Sequence, residues 1–204
     1  MDPLLNLCTD IKNCKKCDLQ YSRKNPVCGF GRPSPKMMLV GEAPGSKEDD
    51  AGKPFVGRSG KVLTLALEKA GVKSHEVYLT NSVRCRPKVG RTPKVSEIKT
   101  CSSFLRLELE TIRPRLVVPM GNSAIQSIST ILNRKLGRIS EVNDKVFHCG
   151  KYYIIPQYHP SAILRNPKKM EMFKDSFARI AAFLEDLETK KMEYIFNKYL
   201  VQSI

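Results

Sequence analysis

Four short apolar runs, each followed at once by a turn of small or polar residues, constrain this chain more than any other feature. They are Met37–Val40, Val77–Thr80, Leu116–Met120 and Tyr152–Pro156. The first and third are almost continuously apolar, the pattern of strands buried on both faces of a parallel sheet. Between them lie stretches of helical period. Gly60 to Ala70 puts Val62, Leu63, Ala66 and Leu67 on one stripe, and Gly71 ends it. Val95 to Ile112, Asn122 to Leu132 and Lys168 to Leu200 continue the alternation, the last as one long helix or two shorter ones. Strands alternating with helices predict an α/β fold: three layers, α/β/α, around a central four-stranded parallel sheet. A length of 204 residues suits one domain over residues 1–204, with an N-terminal helix and a metal-cluster subregion.

An open parallel sheet carries its ligand site at the carboxyl ends of its strands. Four segments fall there: Gly41-Glu42-Ala43-Pro44-Gly45, Asn81-Ser82, Gly121-Asn122 and Gln157-Tyr158-His159-Pro160-Ser161. Any one of them is an ordinary turn. Together they bring amide, imidazole and carboxylate groups to a single rim. The partner is suggested by charge: 35 Lys and Arg against 20 Asp and Glu leave a formal +15, which favours a polyanion such as nucleic acid. No apolar run approaches the roughly 18 residues of a membrane helix, and the charged N-terminus is not that of a secretory leader. A cytoplasmic protein is expected.

There are seven cysteines. Cys14 and Cys17 form a tight pair in a polar stretch, and Cys85 and Cys101 a wide one. In a reducing compartment such clustering suggests metal, and soft thiolates suit either zinc or an iron–sulfur cluster. Spacing alone leaves both open. Cys8 and Cys149 are expected to be buried free thiols. The segment between Cys85 and Cys101 is strongly basic. A metal holding both ends would present Arg86, Lys88 and Arg91 rigidly to DNA phosphates. Gly52-Lys53-Pro54-Phe55-Val56-Gly57-Arg58-Ser59 nearly fits a phosphate-binding P-loop. It lacks the essential Lys, and no strand ends just before it, so nucleotide hydrolysis is not expected.

Taken in order, three motifs resemble a known family. Gly41-Glu42-Ala43-Pro44-Gly45 followed by Gly52-Lys53-Pro54-Phe55-Val56-Gly57-Arg58 is similar to the first motif of family 4 uracil-DNA glycosylases. Leu79-Thr80-Asn81-Ser82-Val83-Arg84-Cys85-Arg86-Pro87 resembles the second, and His159-Pro160-Ser161 the closing one. The resemblance runs from Cys14 to about Arg165. It implies a 4Fe-4S cluster on Cys14, Cys17, Cys85 and Cys101, with zinc as the alternative. It also implies an enzyme that flips uracil out of single- or double-stranded DNA and hydrolyses its bond to the sugar.

The same resemblance implies roles for individual residues. Gly41, Glu42 and Ala43 line the base pocket, Phe55 stacks on the extruded pyrimidine, and Asn81 reads its Watson–Crick edge. His159 lies near uracil O2, where negative charge develops as the bond breaks. Glu48 crowds the C5 position and excludes thymine. Ala43 stands where the wider superfamily carries a water-orienting Asp, which leaves Glu42, or Asn81, as candidates for that task. Leu164 and Arg165 offer a wedge for the gap in the duplex. Charge and cysteines alone also allow a non-catalytic, metal-stapled nucleic-acid-binding module. A relative that stays crosslinked to DNA is a further alternative. It carries an inserted His-containing loop, which Val89-Gly90-Arg91-Thr92 lacks. Uracil-containing DNA is the expected partner of a monomer.

Overall fold

The structure is a computed structural model that describes residues 2–88 and 91–204. Val89 and Gly90, on which the reading of a short second-motif loop partly rests, lie outside the described residues. The strands are β1 (Phe30–Gly31), β2 (Met37–Gly41), β3 (Val77–Asn81), β4 (Leu116–Pro119), β5 (Phe147–His148), β6 (Tyr153–Ile154) and β7 (Gln202–Ser203). They form one sheet in the order β1-β3-β2-β4-β6-β5-β7. The expected parallel core is β3-β2-β4-β6. It is widened by antiparallel β1 and β5 and by β7 at the far edge. The fourth apolar run pairs for only two residues, with a single further bridge between Met120 and Gln157. Pro156 lacks the N–H a ladder needs.

Nine helices cover the sheet among the described residues. They are α1 (Pro3–Lys12), α2 (Ser46–Ala51), α3 (Arg58–Lys69), α4 (Val95–Ile112), α5 (Asn122–Leu132), α6 (Ile139–Val142), α7 (Pro160–Arg165), α8 (Met170–Thr189) and α9 (Met192–Tyr199). Side chains alternate across β2. Met37 and Leu39 pack with Val62 and Leu63 of α3 and Phe177 of α8, whereas Met38 and Val40 pack with Leu105 of α4 and Ile125 of α5. All of β2 is buried, as a central strand between two helical layers requires. The long C-terminal pattern divides at Lys190–Lys191 into α8 and α9. None of the described helices is long and apolar enough to cross a membrane.

A smaller third core lies beside the sheet. Leu7 and Ile11 of α1 pack with Leu19, Val83, Ile98 and Phe104, and Cys85 and Cys101 are buried among them. Pro3 at the first helical turn and the Asp2 carboxylate, which accepts from the Leu4 N–H at 2.9 Å, start α1. The expectation for Cys8 is corrected here. Cys8 forms a disulfide with Cys28, their Cα atoms 5.5 Å apart, within bridging range. The pairing crosses 20 residues, so helical pattern around Cys8 gave no sign of it. Cys149 is free but half-buried, its thiol directed at the Tyr152 carbonyl.

One buried ion pair joins β3 to α4 behind the rim. Arg84 and Glu108 are each 1% exposed, and their contact is 2.6 Å. The same carboxylate accepts from Thr80 at 2.9 Å and Tyr78 at 3.2 Å, and Arg84 also meets the Thr80 hydroxyl. Removing one partner would strand the other charge; even in the intact set the Arg84 Nε is buried without a hydrogen-bond partner among the described residues.

Gly60 sits in the first turn of α3 against the carbonyl of Phe55. A Cβ there would fall 1.7 Å from that oxygen. Helix propensity alone would make Gly60→Ala favourable by about 1 kcal/mol. The backbone clash opposes it, and overpacking costs about 1–3 kcal/mol. Gly60→Ala should therefore lower the urea midpoint, and a raised midpoint would show that the contact yields freely.

Candidate active site

The four polar junctions meet as the sheet order requires. Gly41 and Asn81 are register partners at the ends of β2 and β3. The Ser82 N–H and hydroxyl both bond the Gly41 carbonyl, at 2.9 and 2.8 Å, and the Val83 N–H bonds that of Glu42. These bonds hold the two strand ends together past the last ladder pair. Gly41 must lack a side chain. A Cβ there would lie 2.4 Å from Asn81 Oδ1 and 2.7 Å from the Phe55 ring. Asn81 is only 4% exposed, yet its amide bonds no side chain or backbone among the described residues. A buried, unpartnered amide facing a cavity is a group prepared for a ligand.

Phe55 reaches the pocket from a loop, with φ of 56°, a left-handed conformation that a bulky residue seldom adopts. Two contacts hold the loop. Glu48 accepts from the Gly57 N–H at 2.7 Å, and Gly60 lets α3 approach the Phe55 carbonyl. Glu48 is nearly buried and lies at the cavity, with one oxygen engaged in that bond. The ring of His159 lies 6.5 Å from that of Phe55, tilted by 33°.

His159 caps α7. Its Nδ1 accepts from the Ser161 N–H at 3.2 Å and lies 2.8 Å from the Ser161 hydroxyl. An acceptor at Nδ1 places the proton of the neutral ring on Nε2. Burial, and secondarily the nearby Arg165, push the imidazole down to about 4. The turn before it is set by Asp144, in a left-handed conformation. Its carboxylate accepts from Gln157 at 2.7 Å, Ser176 at 3.0 Å and Arg179 at 2.6 Å. Gln157 in turn receives the Gly121 N–H on its carbonyl. Glu42 is held by the Ser123 hydroxyl at 2.7 Å. Neither Asp144 nor Ser123 stands out in sequence. Each is an ordinary turn or helix residue whose partner is distant along the chain.

The strand-end groups face one open cavity of about 660 Å³, while Gly41, Ser123 and Asp144 stand outside its lining. Glu42, Ala43, Glu48, Phe55, Asn81 and His159 form its interior side. Arg86, Lys88, Arg91, Leu164 and Arg165 also lie along it. Lys88, Leu164 and Arg165 are exposed and Arg86 half-buried. Arg91 differs from its neighbours: its guanidinium grips Glu97 with two bonds of 2.8 Å, so its charge is already offset. Of the expected cations, Arg86, Lys88 and Arg165 form no ion pair among the described residues, and Lys47 and Arg58 line the same cavity.

Cys14, Cys17, Cys85 and Cys101 line a separate small pocket with Ile11, Leu19 and Phe104. Arg23 donates to Cys85 Sγ at 3.0 Å and to the Cys14 carbonyl at 2.8 Å. Burial raises the Cys101 thiol to about 12. Among the described residues no three or more His, Cys, Asp or Glu side chains are grouped closely enough to grip a single metal ion.

The family described as the uracil DNA glycosylase superfamily matches residues 28–188. A type-4 uracil-DNA glycosylase of Archaeoglobus fulgidus is 36% identical over 201 residues, 97% of this chain and 99% of the relative. This chain belongs to the type-4 uracil-DNA glycosylases. Relatives of the same description from Pyrobaculum aerophilum and Thermotoga maritima are each 37% identical. They cover 82% and 89% of this chain, and 88% and 89% of their own lengths. The type-4 assignment and the α/β fold expected from the motifs both hold.

A histidine titrating at about 4 in the glycosylase is neutral throughout the ordinary working range. Its folded value lies below the unfolded value of about 6.5, so acidification protonates the unfolded chain first. The contribution of His159 to stability is thus complete above pH 6.5 and lost as pH falls towards 4. Urea titrations across that window should show a smaller pH dependence in His159→Gln. An identical dependence in both proteins would place the imidazole at its ordinary value.

Proposed function

We propose that this chain excises uracil from DNA, leaving an abasic site. The observation that carries the reading is the convergence of Phe55, the unpartnered Asn81 amide and His159 on one cavity over a side-chain-free Gly41. In this reading the nucleotide rotates out of the stack and its base enters against the Phe55 ring. The Asn81 NH2 donates to uracil O4, and its carbonyl accepts from N3–H. Cytosine presents the reverse pattern and would leave the buried amide unpaired, a mismatch that can discriminate by about 10⁴.

Hydrolysis breaks the bond between N1 and the sugar carbon. The electron pair leaves with the base, and water supplies the new oxygen on the sugar. His159, neutral and protonated on Nε2, is suited to donate towards O2 as negative charge accumulates there. Such a donor contributes most at the transition state, where about 3–4 kcal/mol per bond is typical. The Ser123 hydroxyl orients Glu42, the nearest carboxylate to the rim that could position water. Glu48 shapes the C5 side of the pocket through its bond to Gly57. Arg86, Lys88 and Arg165 meet phosphates, and exposed Leu164 fills the place vacated by the base.

The four cysteines fit the 4Fe-4S cluster that the motif resemblance implies, with zinc as the alternative. The donor set is all sulfur in a pocket walled by apolar groups, and Arg23 supplies positive charge to one of the thiolates. When bound, the cluster would serve structurally, holding α1, the second motif and α4 together. Freshly purified protein should be brown, with about four iron atoms per chain. Colourless, stoichiometrically zinc-loaded protein would favour the alternative metal. A monomer acting in the cytoplasm belongs to the same reading.

Single-turnover release of free uracil from a uracil-containing oligonucleotide tests the reaction. Asn81→Ala and His159→Ala should each lower the rate by about 10²-fold or more, as loss of a transition-state contact does. Glu42→Gln should do so only if that carboxylate positions water. Failure of the unmodified protein to release uracil, or its capture in a covalent DNA adduct, would refute the proposal.

A further inference from the structure

A second groove runs along the outward side of α5, with a volume of about 710 Å³. It is a separate cavity from the base pocket but starts at the same rim. Asn122, the first residue of α5, lies at its upper end. Gly121 immediately before it stands against His159, whose Cβ would be 3.1 Å from an added methyl. Ser123 immediately after it holds Glu42. An 11-residue helix then carries the groove roughly 16 Å away from the rim.

The lining of this groove is polar and basic. Arg134, Lys135 and Arg138 are exposed along it. None of the three pairs with a carboxylate among the described residues. Gln126, Ser129 and Asn133 add hydrogen-bonding groups between them. The nearby carboxylate of Glu141 is turned onto the Arg138 N–H at 3.1 Å and so caps α6. The groove is held in shape by two bonds that close the loop after α5. The Ile139 N–H donates to Asn122 Oδ1 at 2.9 Å, and the Leu136 N–H to Ser129 Oγ at 3.3 Å. Unpaired cations spread along one groove with amide groups beside them suit a chain of phosphates better than a single anion.

We infer that this groove is a second DNA-binding track, which takes the single-stranded backbone of one flank of the target strand as it leaves the base pocket. The inference rests on the uracil-excising reading. It adds that binding extends beyond the rim on one side only, by about three phosphates. Three cations engaged on a single strand contribute about 2 to the slope of log affinity against log salt.

The test compares uracil-containing single strands: one barely longer than the base pocket, and the same strand extended on its 5′ or its 3′ side. Affinity and single-turnover uracil release are measured for the unmodified chain, for the combined variant Arg134→Ala, Lys135→Ala, Arg138→Ala, and for a charge-conserving variant Arg134→Lys, Arg138→Lys. Extension on one side alone should tighten binding for the unmodified chain. The alanine variant should lose that gain, with the salt slope falling by about 2, and the lysine variant should keep it. Uracil release from the shortest strand should be equal in all three. Tightening by both extensions, an unchanged slope in the alanine variant, or an equal loss on the shortest strand would overturn the track. Absence of uracil release by the unmodified chain would instead refute the underlying reading.

Discussion

The site depends on the space left where Gly41 has no side chain. β2 and β3 end in register, and a Cβ at Gly41 would stand in the space that the Asn81 amide takes over the end of β2. Phe55 occupies the same space from the opposite direction. A methyl group at that position would separate the Phe55 ring from the Asn81 amide. The loop carrying Phe55 therefore has to be fixed independently of the sheet. The Glu48 bond to Gly57 and the bare flank of α3 at Gly60 fix it. A left-handed Phe is costly by about 1–3 kcal/mol, and it persists because both neighbours hold it.

Much of this was legible in the residues. The strand cores were read to within one or two positions, because strands buried on both faces leave a continuous apolar signature. Helices α4 and α5 were read to the residue, because a helical stripe ends where its glycine or left-handed cap begins. The meeting of Asn81 and His159 follows from placing each junction at a strand's carboxyl end, whereas Phe55, in the loop between α2 and α3, is pointed to only by the motif resemblance. What pattern could not supply was the second layer of contacts. Asp144 sets the His159 turn through Gln157, Ser176 and Arg179, and Ser123 holds Glu42. Those partners are separated by tens of residues, and nothing in local period reports them. The Cys8–Cys28 bond was missed for the same reason, and the two-residue edge strands because pairs so short carry no period.

Net charge proved less informative than its distribution. Arg84 is neutralised inside the protein by Glu108, and Arg91 at the surface by Glu97. Each is engaged by a carboxylate, and of the two only Arg91 lies in the basic stretch between Cys85 and Cys101 that suggests a phosphate contact. The difference lies in solvation. Arg84 is buried and can exist only with its carboxylate, whereas Arg91 is partly exposed and its pairing is a weaker competitor for an incoming anion. Arg86, Lys88 and Arg165, which pair with no carboxylate among the described residues, lie along the cavity edge, where a polyanion would arrive.

The Cys8–Cys28 bridge has a consequence for assembly of the sulfur-lined pocket. The covalent ring it closes contains Cys14, Cys17 and Arg23. Closing a ring of this size restricts the unfolded chain by about 3 kcal/mol on the loop-entropy model. It also keeps the Cys14 and Cys17 thiols within a small volume before the rest of the pocket has formed. A chain so tethered searches few wrong geometries as Cys85 and Cys101 come to meet them.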